Sequence, residues 1–103
     1  MKKLSVIIPA YNEAGTIADV IRKVKNAKLE NISKEIIIVD DASTDGTEKI
    51  LAKIKDPSIK IIRHKNNLGK GAAIRTALKH VTGDMVIVQD ADLEYNPNEY
   101  QSL

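Results

Sequence analysis

At 103 residues the chain has room for one domain on one modest hydrophobic core, expected to run over 1–103. Its 16 Lys and Arg against 14 Asp and Glu leave a formal charge of +2, and the cations are scattered, which argues against nucleic acid as the main partner. With no cysteine, a disulfide framework, a thiolate metal site and a cysteine nucleophile are all excluded.

The N-terminal apolar run LSVIIP, Leu4 to Pro9, is short and nearly continuous, as expected of a strand covered on both faces. Pro9 cuts it before it reaches the length of a signal peptide or a membrane span, and a cytoplasmic location is the expectation. Ile17, Val20, Ile21 and Val24 then fall at helical spacing on one stripe. Ile36 to Val39 is a second buried strand, almost purely β-branched, ending on Asp40-Asp41 and a turn rich in helix-capping types up to Gly46. Thr47, Ile50, Leu51 and Ile54 form the next helical stripe, broken at Asp56-Pro57. Ile59, Ile61 and Ile62 make a third strand, less continuous and so placed nearer an edge. After the loop Asn66 to Gly71, the residues Ile74, Ala77, Leu78 and Val81 mark a third helix, which Gly83 is expected to close. Met85 to Val88 is the fourth strand, read as buried.

The order β-α-β-α-β-α-β, with connections too long for hairpins, predicts an α/β fold: a Rossmann-like parallel sheet of four strands with helices on both faces. In such a sheet, ligands bind beyond the carboxyl ends of the strands. Those ends deliver Pro9-Ala10-Tyr11-Asn12-Glu13, Asp40-Asp41, Arg63-His64-Lys65-Asn66 and Asp90-Ala91-Asp92-Leu93-Glu94. The opposite ends, Lys2-Lys3, Ser33-Lys34-Glu35, Ser58 and Gly83-Asp84, read as solvated loops. One ligand site on one rim is the expectation.

Carboxylates held as close as Asp90 and Asp92 repel unless a cation neutralises them, and hard oxygen donors suit Mg2+ or Mn2+. Glu94 joins them if the extended geometry persists. The same residues also read as an acidic turn capping a short helix around Asn96-Pro97. Tyr11 and Glu13 suit a nucleotide base and ribose, although Asn12 or Glu13 would equally serve as a helix cap. Asp40 and Asp41 need partners at the end of a buried strand; a turn and cap into Ser43 to Gly46, or a ribose or base N–H, would provide them. Gly69-Lys70-Gly71 lacks both the dinucleotide and the Walker spacing, and reads as a tight turn as readily as a phosphate contact. His64 and His80 lack metal-like spacing and read as surface residues.

Four motifs stand in order: SVIIPAYNE, IIIVDDASTDGT, NNLGKGAAIRTAL and VIVQDADLEYNP. Together they resemble the N-terminal, nucleotide-sugar-binding half of the inverting GT-A glycosyltransferases of family 2. The likeness is to the polyprenyl-phosphate branch that includes dolichol-phosphate mannosyltransferase, and it covers Leu4 to about Tyr100. The resemblance implies a UDP- or GDP-sugar donor. Pro9, Ala10, Tyr11 and Glu13, with Asp40 or Asp41, would lie against base and ribose. Asn67, Gly69 and Lys70 would lie near the sugar-phosphate side, with Asp90 and Ala91 completing the nucleotide site. Asp90, Asp92 and Glu94 would hold the metal, and the acceptor would be a polyprenyl phosphate or a glycan. Relatives continue past the acidic motif with the acceptor site, so any general base is expected beyond Leu103 and no catalytic residue is assigned within the chain. A truncated domain is therefore expected here, inactive alone and able to self-associate through an exposed sheet edge. Two other readings stay open: a non-catalytic folding module, and haloacid-dehalogenase-like phosphoryl transfer through Asp90 and Asp92.

Overall fold

The structure, a computed structural model, describes residues 2–91. Its elements are β1 (Lys2–Ala10), α1 (Ile17–Asn26), β2 (Ile32–Asp40), α2 (Thr47–Ala52), β3 (Ile59–Arg63), α3 (Lys70–Leu78) and β4 (Met85–Val88). The four strands form one parallel sheet in the order β3-β2-β1-β4, so the expected α/β architecture is the observed one.

Alternation along the two central strands splits the core into two layers. Leu4, Val6, Ile8, Ile36 and Ile38 face one side, where they meet Ile17, Val20, Ile21 and Val24 of α1 and Leu51 of α2. Ile7, Ile37 and Val39 face the other side and pack on Ala73 and Ala77 of α3. Small residues let α3 approach the sheet closely, and Leu78, expected on the buried stripe, is exposed instead. The β3 edge is as expected. The burial expected of β4 is not observed: among the described residues β4 is the other edge, and Val86 and Val88 are 41% and 44% exposed. Among the described residues α3 packs mainly over β1 and β2, which leaves the α3-side face of β4 partly open.

The pole opposite the rim is more than solvated loops. Glu35 is buried, and its Oε2 accepts from the Ser5 hydroxyl at 2.6 Å and the Thr82 N–H at 2.7 Å. Lys3 and Lys60 lie 3.6 and 3.8 Å from Oε1. Burial pushes this carboxyl up, but the Ser5 and Thr82 hydrogen bonds and the Lys3 charge outweigh it and hold it down to about 2. Gly83 lies past the end of α3 and has no cap role. A side chain there would meet Ser5 Oγ at 2.5 Å and the Lys3 carbonyl at 2.8 Å, so glycine is required by close approach to β1. Lys34, half-buried, donates through Nζ to the Val24, Lys25 and Ala27 carbonyls at the end of α1; burial lowers its pKa.

Candidate functional site

Register fixes the rim. Ala10, Asp40 and Arg63 stand in line across β1, β2 and β3, and one further rung continues the ladder, Asp41 N–H to the Ala10 carbonyl and His64 N–H to the Asp40 carbonyl. Beyond it the β1–α1 and β2–α2 loops interlock. Asn12 N–H donates to Ser43 Oγ at 2.9 Å, Glu13 N–H to Thr47 Oγ1 at 3.0 Å, and Ala14 N–H to Asp45 Oδ2 at 3.0 Å. In return Thr44 N–H donates to Asn12 Oδ1 at 2.8 Å. Each such bond contributes about 1 kcal/mol, so the four together hold the loops as one body. Neither Asn12 nor Glu13 caps α1, whose N-cap is Thr16. Asp45, held below its ordinary pKa by the Thr47 hydroxyl and the Ala14 N–H, anchors both loops. Ala42 takes φ 63°, a left-handed conformation that costs a non-glycine residue about 1 kcal/mol and is retained here at the rim.

The adjacent aspartates point to different tasks. Asp40 is turned inward: Oδ2 takes Arg63 Nη1 at 2.6 Å and Oδ1 takes Ser43 N–H at 3.0 Å, while Arg63 also reaches the Ser43 carbonyl. Asp41, 3% exposed, borders the rim cleft. Its carboxylate accepts from Leu68 N–H at 2.9 Å, Gly69 N–H at 2.8 Å and His64 Nδ1 at 2.8 Å. Burial pushes the Asp41 carboxyl up, but these donors outweigh it and leave it below the usual range. The surface reading of His64 is therefore corrected: it is 9% exposed, because the Asp41 carboxylate on one side and Thr76 on the other satisfy both ring nitrogens inside the fold. His80 is exposed, as expected. Gly69 takes φ +97° at the turn into α3, the positive-φ role foreseen for it, and that turn presents its N–H to Asp41.

The cleft has a volume of about 340 Å³ and is lined by Pro9, Ala10, Tyr11, Glu13, Asp41, Lys70, Ala73, Asp90 and Ala91. All of these but Ala73 were candidates from the sequence. Ala73, buried in the core layer under α3, also reaches the cleft wall. Asp40, Asn67 and Gly69 stand outside the lining; Gly69 N–H donates to Asp41 within it, whereas Asp40 is taken up by Ser43 and Arg63. Tyr11 leaves nearly half of its surface open to solvent. Lys70 Nζ pairs with Asp90 Oδ1 across the cleft. The Thr16 hydroxyl donates to the Ala91 carbonyl at 2.7 Å, fastening the acidic segment to the start of α1. Asp92 and Glu94, the other two expected metal ligands, lie outside the described residues. So does Leu103, the position beyond which a general base was expected.

A parallel α/β sheet with an aromatic and acidic cleft at its carboxyl rim defines a Rossmann-like fold, a class in which ligands bind at that rim. Comparison with known proteins narrows this class. The chain belongs to glycosyl transferase family 2, which it matches over residues 5–103. It is 39% identical over its whole length to the undecaprenyl-phosphate 4-deoxy-4-formamido-L-arabinose transferase of Salmonella choleraesuis (strain SC-B67), and spans 33% of that protein. Among solved structures, it matches the mannosyltransferase PcManGT from Pyrobaculum calidifontis, in complex with GDP-Man and Mn2+, with a TM-score of 0.80 and 29% identity over 98% of this chain and 30% of that one. S. aureus TarS 1-349 in complex with UDP-GlcNAc gives a TM-score of 0.80 and 30% identity over 97% of this chain and 29% of that one. The chain thus spans about a third of the length of the curated relatives it matches.

Proposed function

We propose that this chain binds the nucleoside-diphosphate part of a sugar donor in the rim cleft, as the donor half of a metal-dependent glycosyltransferase. The observation that carries the reading is the convergence on one cleft of Tyr11 and Glu13 after β1, Asp41 after β2, Lys70 at the start of α3 and Asp90 after β4. The open face of Tyr11 suits stacking on a base. Glu13 and Asp41 are acceptors for ribose hydroxyls or a ring N–H. Lys70 provides a cation for the diphosphate, and Pro9, Ala10, Ala73 and Ala91 form apolar walls. Relatives crystallised with UDP-GlcNAc and with GDP-Man and Mn2+ support the donor class.

The donor set read from the sequence suits a divalent ion, although among the described residues no three metal-ligating side chains cluster. Asp90 already takes a cationic group at the cleft wall, the Lys70 ammonium, and Asp92 and Glu94 follow it in sequence with further hard oxygen donors. Asp90, Asp92 and Glu94 would hold Mg2+ or Mn2+, which when bound neutralises charge on the departing diphosphate. The acceptor we assign is a polyprenyl phosphate, the class in the name of the Salmonella relative, or else a glycan. A phosphate acceptor needs little deprotonation near neutral pH, whereas an alcohol needs a general base. A lipid acceptor would place the reaction at a membrane surface.

Phosphoryl transfer through Asp90 and Asp92 is not favoured, given the family and the position of Asp90 after the fourth strand. The test is thermal stability with UDP-GlcNAc and GDP-Man, each with and without Mn2+. Binding to the folded state raises the melting temperature by mass action. One of the two donors should do so in a metal-dependent way, and Asp92→Ala should abolish the metal-dependent part. A folded chain that takes neither donor nor metal would leave only the folding-module reading.

A further inference from the structure

We propose that His64 is a positioning residue for the cleft, holding the Asp41 carboxylate in place through a hydrogen-bonded chain, Asp41–His64–Thr76, that ties the exit of β3 to α3. The proposal rests on the reading of the cleft as a nucleotide site. Its geometry is two bonds of 2.8 Å, His64 Nδ1 to Asp41 Oδ1 and His64 Nε2 to Thr76 Oγ1, on a ring that is 9% exposed.

The chemistry sets the direction of the chain. An ionised carboxylate only accepts, so the proton sits on Nδ1. In the neutral ring Nε2 is then an acceptor, and the Thr76 hydroxyl donates to it. Asp41 receives three donors in all, the other two being the Leu68 and Gly69 N–H groups of the turn into α3. A carboxylate offers about four acceptor positions, so one remains on a residue that borders the cleft. His64 and the turn thus orient Asp41 from behind and leave a single acceptor for the ligand. Without His64, the carboxylate can rotate about its χ angles and the cavity left by the ring admits water, so the ligand-facing acceptor is no longer held in one place.

Two substitutions separate positioning from bulk packing. His64→Asn puts an amide N–H near the former Nδ1 and keeps the donation to Asp41, while losing Thr76. His64→Gln reaches towards Thr76 and loses Asp41. UDP and GDP, each with Mn2+, are the probes in calorimetry. Removing a hydrogen bond to a charged group should weaken binding about tenfold in His64→Gln and in His64→Leu, with His64→Asn within about threefold of wild type. Hydrogen exchange at the Leu68 and Gly69 amides is the second readout: faster in Gln and Leu, close to wild type in Asn. Equal weakening in Asn and Gln, or wild-type binding in both, overturns the proposal, and the Asn and Gln pair decides it even if His64→Leu fails to fold. If wild type binds neither nucleotide, the donor reading falls. Positioning of Asp41 is then decided by the exchange data alone: selective acceleration in Gln supports it, and unchanged exchange overturns it.

Discussion

Glu35 gives the most quantitative prediction, because its partners and its titration can both be read from the fold. Its carboxyl is lowered from an ordinary 4.5 to about 2, against the effect of burial, by the Ser5 and Thr82 hydrogen bonds and the nearby Lys3. A difference of that size corresponds to roughly 3 kcal/mol at about 1.4 kcal/mol per pH unit. Lys3 and Lys60 are themselves well exposed, so their share is screened and about 2 kcal/mol is the better figure. The folded-state carboxyl titrates below the unfolded one. Its stability contribution is therefore whole above pH 4.5 and lost as the pH falls through about 2. Glu35→Gln retains an oxygen for Ser5 and Thr82 but loses the charge. Urea unfolding followed by circular dichroism should show it about 2 kcal/mol less stable than wild type at neutral pH. The gap should close between pH 4.5 and about 2. Glu35→Ala leaves the Ser5 hydroxyl and the Thr82 N–H without their acceptor and should cost about 3 kcal/mol, part of it persisting in acid. A Gln variant whose deficit stays constant down to about pH 2 would refute the reasoning.

Gly83→Ala drives a methyl group onto Ser5 Oγ and the Lys3 carbonyl, and should lower stability by about 2–3 kcal/mol in the same unfolding assay. An alanine tolerated there without loss would show that the α3–β4 connection does not lie as close to β1 as described. Thr47→Val keeps the shape of a fully buried residue but removes the acceptor for Glu13 N–H and the donor to Asp45. It should cost about 1–2 kcal/mol in a urea melt and, by loosening the loop that carries Tyr11 and Glu13, weaken nucleotide binding more than stability alone accounts for.

The alternation of strands and helices was legible because the two periods differ so clearly: Ile36 to Val39 is continuous, whereas Ile17, Val20, Ile21 and Val24 fall on one stripe. The rim was legible for the same reason, since a parallel sheet fixes which strand ends face the ligand. The division of labour between Asp40 and Asp41 was not. Adjacent residues at a strand end point to opposite faces, and the choice depends on Arg63 and on the Leu68–Gly69 turn, both remote in sequence. His64 and Glu35 misread as solvated residues because their burial comes from distant partners: Thr76 and Asp41 for one, Ser5 and Thr82 for the other. The partial exposure of β4 among the described residues was not legible either, since MVIV reads alike at the centre of a sheet and at its margin.

The most direct test of the donor-site account is an amide-resolved NMR titration of the protein with UDP and with GDP in Mg2+, followed by replacement of Mg2+ with Mn2+. The account predicts shifts at Tyr11, Glu13, Asp41 and Lys70 for the nucleotide that binds, then paramagnetic broadening centred on Asp90. Shifts confined to the far pole around Glu35 and Gly83, or broadening that leaves Asp90 sharp, would contradict it.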